Sequence, residues 1–262
     1  MVSTHHFPLA FERAAHASGF EPAHVVWPES VGSTNDELVS ELMLNADAWP
    51  DFSIYGTEFQ SAGKGRLDRQ WTVQPGEALT FSTVFRAQTP EHLGWVPLLT
   101  GWAVAQAIRD VGVNATVKWP NDVLIEGKKV CGILCRYVSE VGAVVIGTGI
   151  NVHMGDVPVE TATSIHHYTD VDRAELLARI MVHLQSALTQ AFESEQPQHS
   201  NAAAQACSLI STVGQHVRVS LPGGATVEGQ AIGISPSADL RVRTDSGVVD
   251  VSAGDVVHVR PA

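Results

Sequence analysis

Lysine is the scarcest ionisable cation in this chain. Of 262 residues only four are Lys, and all four lie in two short segments. Lys64 stands in Gly63-Lys64-Gly65-Arg66-Leu67-Asp68-Arg69-Gln70-Trp71. Lys118, Lys128 and Lys129 fall between Lys118-Trp119-Pro120-Asn121-Asp122 and Gly127-Lys128-Lys129. The other 12 basic residues are Arg, so a general preference for Arg explains the scarcity of Lys but not its clustering. A glycine-punctuated cationic loop and a second lysine cluster suit a site that handles phosphate and carboxylate together.

Cysteine is sparse as well. Three residues, Cys131, Cys135 and Cys207, make an odd set that argues against a disulfide framework. Cys131 and Cys135 are four apart in an apolar run; on a strand they share one face and read as small buried hydrophobes. The N-terminus has no basic flank followed by an apolar stretch, which excludes the signal-peptide pattern. No apolar run approaches the ~18 residues of a membrane span. A soluble, cytoplasmic protein without a membrane partner is expected.

Positive charge is short overall. The formal net charge is -12 and the pI about 5.4, so the surface repels nucleic acid and anionic membranes, and neither is an expected partner. Against that background Lys64, Arg66 and Arg69 face only Asp68, a local charge of +2 in an acidic protein. Histidine is plentiful, at 12 residues, yet His5-His6 and His166-His167 are adjacent rather than helically spaced. No His-Glu-x-x-His or paired Cys-x-x-Cys pattern occurs, so a histidine-based metal site is not expected.

The length suits one large domain or a large one plus a small one. Leu9 to Ser18 reads as a helix stopped by Gly19, and His24 to Trp27 as a strand. Ser33-Thr34-Asn35-Asp36-Glu37 carries a capping-box signature ahead of the helical spacing of Leu38, Leu42 and Met43. Strands are expected over Phe52 to Phe59, Leu79 to Phe85, Ala115 to Trp119, Asp122 to Ile125, Val130 to Val138 and Val141 to Val152. Helices are expected over Leu93 to Val111, Ala174 to Glu195 and Asn201 to Ile210. After about Thr212 short strands alternate with Gly, Pro and Asp turns, the texture of a small barrel. The expected division is a catalytic domain over 1–212, with 1–22 as a lead segment, and a small domain over 213–262.

Two motifs carry chemistry. The Gly63–Trp71 loop is neither the Walker pattern nor a dinucleotide fingerprint; it is a cationic loop with a tryptophan anchor. In Lys118-Trp119-Pro120-Asn121-Asp122, Pro120 pushes Trp119 into an extended conformation, so that Asn121 and Asp122 present an amide and a carboxylate at a strand start. Such groups suit Mg²⁺ beside phosphates, and they also suit a plain Asn-Asp turn. Lys129 follows across a tight turn, within reach of the same space, and Gly132 lets a backbone approach closely.

Taken together, Ser33-Thr34-Asn35, Gln60 to Arg66, Trp71, Lys118 to Asp122, Gly127-Lys128-Lys129 with Gly132-Ile133-Leu134, and Gly149-Ile150-Asn151 resemble biotin protein ligase in order and spacing. The likeness covers roughly residues 25 to 262, and Val251 to Val256 resembles the end of that family's small barrel. The resemblance implies an α/β (α+β) fold: a mixed-sheet, class II synthetase-like biotin/lipoate ligase catalytic domain and an SH3-like C-terminal β-barrel. It implies ATP and Mg²⁺, with biotin as substrate, and a two-step reaction through biotinyl-5′-AMP to a lysine of a biotin carrier domain.

The same resemblance assigns roles. Lys129 and Arg66 are the expected catalytic residues. Ser33, Thr34, Gln60, Gly63, Lys64, Arg66, Lys129 and Gly132 are expected at biotin. Arg66, Arg69, Trp71, Lys118, Asn121 and Asn151 are expected at the nucleotide, and Asp122 at Mg²⁺, directly or through water. The expected partner is the biotin carboxyl carrier domain of acetyl-CoA, acyl-CoA or pyruvate carboxylase, met by a monomer or weak homodimer. Only about 24 residues precede the first strand, so a monofunctional ligase without an operator-binding domain is expected. The chain departs from the family loop at Lys64, where Arg is usual, and at Asp68, where Gly is usual. Cys131 also replaces a common Ala. Lipoate–protein ligase and a non-catalytic biotin-binding adaptor are the alternatives.

Overall fold

The computed structural model describes residues 6–66, 69–87, 90–157, 159–194 and 196–258. Helix α1 (His6–Ser18) ends where Gly19 takes φ +81°, a conformation that costs glycine nothing. Short strands β1 (Val25–Val26) and β2 (Ser30–Val31) lead into helix α2 (Thr34–Leu44). Strands β3 (Ile54–Thr57), β4 (Phe59–Gln60) and β5 (Ala78–Arg86) follow. Helix α3 (Trp95–Asp110) is buried on most sides, as its apolar composition predicts. Strands β6 (Ala115–Lys118), β7 (Asp122–Ile125), β8 (Lys128–Val138) and β9 (Ala143–Asn151) complete the sheet. Helices α4 (Arg173–Phe192) and α5 (Asn201–Ser208) precede five closing strands.

Seven strands form one mixed sheet in the order β1-β3-β5-β9-β8-β7-β6. Only β1–β3 is parallel; every other pair is antiparallel. Strand β9 is buried along its whole length and β5 along all but its last residue, which fits their central places. One face packs Leu79, Phe81, Ile146, Ile150, Cys131 and Ile133 into the main core with the buried sides of α1, α3 and α4. The other face is only partly covered. There α2 sets Leu38, Val39 and Leu42 against Tyr55, Val84 and Val145. The remainder of that face is left to the site.

An apolar alternation that fixes one buried side recurs in the C-terminal strands. Strands β10 (His216–Ser220), β11 (Thr226–Ile234), β12 (Leu240–Thr244), β13 (Gly247–Val251) and β14 (Asp255–His258) form an antiparallel sheet ordered β13-β12-β11-β10-β14. Its inner residues Val217, Val219, Ala231, Leu240 and Val242 belong to the same buried cluster as α3 and the large sheet. Two indoles pin it there: Trp95 Nε1 donates to Pro236 O at 2.9 Å and Trp119 Nε1 to Ala238 O at 3.0 Å. The Trp119–Pro120 peptide is cis.

Candidate active site

The open part of the sheet face is floored by glycine for a steric reason. Across β5, β9 and β8 one row reads Thr80–Gly149–Gly132, and the next reads Ser82–Gly147–Leu134. A Cβ at Gly149 would lie 2.6 Å from Cε2 of Trp71, and one at Gly147 would lie 2.4 Å from the Asn35 amide oxygen. The floor therefore has to lack side chains if the Trp71 indole and the start of α2 are to lie against it.

At the α2 end, Ser33 occupies the N-cap position but its hydroxyl makes no capping hydrogen bond, so the expected capping box does not form. Gln60 supplies the missing acceptor. Its Oε1 takes hydrogen bonds from Thr34 N at 2.8 Å and Thr34 Oγ1 at 3.2 Å. A helix N-terminus needs such acceptors, and a side chain from β4 provides one here. Ser82 Oγ then donates to Asn35 Oδ1 at 2.7 Å and lies 2.8 Å from Thr34 Oγ1. Ser33, Thr34 and Gln60 are all buried around the same hollow.

At the other end are Lys129 and Arg66, while Lys64 stays at the α2 end. Lys129 Nζ lies 2.6 Å from Asp122 Oδ1. Its aim depends on a bulge: the β7–β8 register shifts between Val123 and Leu124, so Lys129 and Gly132, three apart, come to the same face. A Cβ at Gly132 would sit 3.1 Å from Lys129 Nζ. Arg66 Nη1 donates to Asn121 Oδ1 at 3.0 Å, while Asn121 Nδ2 donates to Ile133 O at 2.8 Å. The strand thus fixes the amide, and the amide fixes the guanidinium. Burial pulls the Arg66 pKa below its ordinary value; nearby Asp122 and Asp255 oppose that, and Arg69 adds to it. Lys64 Nζ is 2.5 Å from Asp36 Oδ2 on α2.

The loop that carries Lys64 and Arg66 folds back on itself. Trp71 N donates to Gly63 O at 2.9 Å and Gly65 N to Arg69 O at 2.7 Å. At Gly63 a Cβ would meet Trp71 O at 2.3 Å, so the fold-back requires glycine there. The space enclosed by the glycine floor, the α2 end and the cations is about 70 Å³. Small-molecule sites usually span roughly 300 Å³ or more; a second hollow of about 350 Å³ adjoins this one, and Gln60, Lys64, Gly65 and Trp71 line both.

Among characterised proteins, a biotin–[acetyl-CoA-carboxylase] ligase of Mycobacterium tuberculosis is 34% identical over 252 residues, spanning 93% of this chain and 91% of that protein. The chain belongs to the biotin protein ligase family. The biotin/lipoate A/B protein ligase family model matches residues 27–151, and the biotin protein ligase C-terminal domain model matches 212–259. A bifunctional ligase/repressor of Bacillus subtilis is 29% identical over 89% of this chain and 73% of its own length. The solved biotin protein ligase from Aquifex aeolicus, in complex with biotin and ATP, superposes with a TM-score of 0.76 at 26% identity. It covers 91% of this chain and 99% of its own.

Within this ligase fold, most of the residues expected at the site meet at the hollow: Ser33, Thr34, Gln60, Lys64, Arg66, Trp71, Asn121, Lys129 and Gly132 line it, while Gly63, at the start of the loop, packs against Trp71 outside the lining. Others do not. Arg69 is outside the lining and pairs with Asp255 of the C-terminal sheet. Lys118 sits opposite Asp122 in the β6–β7 register, half-buried and outside the lining. The Asn151 amide donates to Thr163 O at 2.9 Å, away from the hollow. The departure at Asp68 lies outside the described residues.

Three residues went unassigned from sequence. Asn35 bridges Ser82 Oγ to Leu134 O, the latter at 2.9 Å. Thr80 lines the hollow, and its buried Oγ1, like the buried Nε1 of Trp71, has no hydrogen-bond partner among the described residues. Asn35 lies inside the Ser33-Thr34-Asn35 motif, but Thr80 and Ser82 are ordinary strand residues that carry no local signal.

Proposed function

We propose that the chain is an ATP-dependent biotin–protein ligase. It joins biotin to AMP with release of pyrophosphate, then transfers the biotinyl group to a lysine of a biotin carboxyl carrier domain. The observation that carries this reading is the polarity of one hollow. Uncharged donors and acceptors, Ser33, Thr34 and Gln60, stand at the α2 end, with Lys64 beside them on Asp36, and Arg66 and Lys129 stand at the other end on Asn121 and Asp122. A molecule with a ureido ring, an apolar body and a carboxylate matches that order, and the mixed donors and acceptors suit the ring.

In the first step the carboxylate oxygen attacks the α-phosphorus of ATP. Two anionic groups must meet, so fixed positive charge lowers the barrier. Lys129, held by Asp122, and Arg66, held by Asn121, bring that charge with their geometry set in advance. In the second step the carrier amine attacks the acyl carbon and AMP leaves. The loop with Trp71 shields the mixed anhydride from water.

Among the described residues no group of three His, Cys, Asp or Glu could hold a metal, and the Asp122 carboxylate already faces Lys129. That set fits Mg²⁺ only as an ion borne by the nucleotide, with Asp122 touching it directly or through water. Bound so, the ion would neutralise phosphate charge.

Acetyl-CoA, acyl-CoA or pyruvate carboxylase supplies the carrier domain, and the ligase works as a monomer or weak homodimer. The catalytic unit runs over 1–212 and the small unit over 213–262. No helix among the described residues is long and apolar enough to cross a membrane.

The deciding assay is ATP-dependent transfer of biotin to a carrier-domain lysine. Pyrophosphate release from ATP and biotin alone separates a ligase from a non-catalytic adaptor. Calorimetry that showed lipoate binding without biotin binding would replace this reading with a lipoate ligase. Lys129→Ala is expected to slow adenylation on the order of 100-fold, as for other single preorganised charges. An unchanged rate in a folded variant removes Lys129 from its role.

A further inference from the structure

Lys129 is held at its backbone by a segment that never touches the hollow. Strand β9 stops at Asn151, and its pairing with β8 ends at Cys131, opposite Ile150. The next residues of β8 toward its start would present a free edge. Instead the chain returns at 161–163 and takes the place of β9. Lys129 N donates to Thr161 O at 2.8 Å, Thr163 N donates to Lys129 O at 2.8 Å, and Lys129 pairs with Ala162 in a parallel bridge.

This strap is fastened to the end of β9 at several points. Asn151 Nδ2 donates to Thr163 O at 2.9 Å. Ser164, fully buried, donates through Oγ to Val152 O at 2.8 Å and accepts from Met154 N at 3.0 Å. The Thr163 hydroxyl is 3.3 Å from His167 Nδ1, and His167 Nε2 is 2.9 Å from Gly155 O. His166 N adds a bond to Val152 O at 2.8 Å. Lys129 lies next to a bulge at which the register to β7 shifts, so its face is set there. The strap takes up both backbone groups of Lys129 at that point.

We infer that the Thr161–Ser164 strap is a positioning element of the ligase, with Ser164 as its anchor, acting on adenylation through the backbone of Lys129. The inference rests on the proposed role of Lys129. It differs from a general packing role in one respect: its effect passes through a single side chain. Asn151, expected at the nucleotide from sequence, takes part here through its amide and the Thr163 carbonyl.

A double-mutant cycle tests this in the full chain, with pyrophosphate release as the rate and calorimetry for biotin. Ser164→Ala is expected to lower the adenylation kcat by roughly 10- to 100-fold, the effect of small misplacements of a reacting group. The biotin Kd should change less than about twofold, and Ser164→Thr should recover much of the rate. In the Lys129→Ala background the same change should cost almost nothing, because the group it positions is gone. Equal losses in both backgrounds, or no loss in either, overturn the inference. If Lys129→Ala itself leaves the rate unchanged, the reading of Lys129 fails instead, whatever Ser164 does. Thermal melts establish that each variant is folded. Should Ser164→Ala not fold, Thr163→Ala loosens the same strap at its hydroxyl and is read by the same cycle.

Discussion

Each cation at the hollow is tied to a partner that sets its direction. Lys64 has Asp36, Arg66 has Asn121, and Lys129 has Asp122. These ties differ in strength. The Lys64–Asp36 pair is exposed, with side-chain exposures of 56% and 39%, and exposed ion pairs contribute little to stability. The Arg66–Asn121 bond is partly buried and rests on a backbone carbonyl. Arg66 is therefore the loop cation whose loss should be felt most at the ligand. Arg66→Gly is expected to raise the off-rate of biotinyl-5′-AMP by on the order of tenfold or more, since a charge-assisted hydrogen bond of this kind contributes about 1.5–3 kcal/mol. Stopped-flow chase with excess biotin measures it, and equal off-rates in parent and variant refute it. A second residue-scale tie lies outside the hollow. Arg173 Nη2 is 2.8 Å from Glu58 Oε2, Trp27 Nε1 donates to Glu58 Oε1 at 3.0 Å, and both charged side chains are about 15% exposed. Glu58→Gln leaves Arg173 without its counter-ion, which is expected to lower unfolding free energy by about 3 kcal/mol in urea titration. A change below about 1 kcal/mol would mean that water takes over the charge.

At the scale of elements, sequence reading succeeded where one local period governs and failed where two distant elements share a task. Helices α3 and α4 and strands β5, β8 and β9 lie close to their expected spans, because apolar period and glycine or proline punctuation decide them. Ser33 looked like a capping residue because the spacing of a capping box is local. The acceptor that serves the helix end is Gln60, 26 residues away from Thr34. The same limit explains Thr80 and Ser82, which acquire meaning only when β5 is laid beside β9. The loop Gly63–Trp71 was legible as cationic, but not the way its indole lies on Gly149 and takes up the hollow. That placement has a consequence. A ligand the size of biotin is larger than this space of about 70 Å³, and Trp71 lines both it and the adjoining hollow, so the indole is expected to shift on binding. Intrinsic tryptophan fluorescence should change on adding biotin, and Trp71→Phe should remove most of the change although five other Trp remain. A full signal in the variant would place the motion elsewhere.

On the scale of the whole molecule, the buried cluster runs without a break from α1 through the large sheet into the C-terminal strands. The change of texture near Thr212 was visible in sequence, whereas the two indoles that fuse the units were not, since nothing local marks Trp95 and Trp119 as reaching Pro236 and Ala238. That continuous core also governs the response to alkali. Cys131 lies wholly inside it and Cys135 packs against it. Burial pushes the Cys131 thiol far up, with Asp122 adding and Lys129 opposing, and pushes Cys135 up to about 12. An unfolded thiol titrates near ~8.5. Above that pH the unfolded chain gives up protons that the folded chain keeps, so the unfolded state binds fewer protons and stability falls as pH rises. The contribution is fully present below the unfolded value and is lost progressively toward the folded one, a window from about 8.5 to 12 for Cys135. The Cys131→Ala/Cys135→Ala variant removes both thiols. Its unfolding free energy, followed by urea titration between about pH 8 and 10.5, should decline less steeply than that of the parent. Parallel slopes would mean that the thiols titrate alike in both states, and that the core around β8 admits water at high pH.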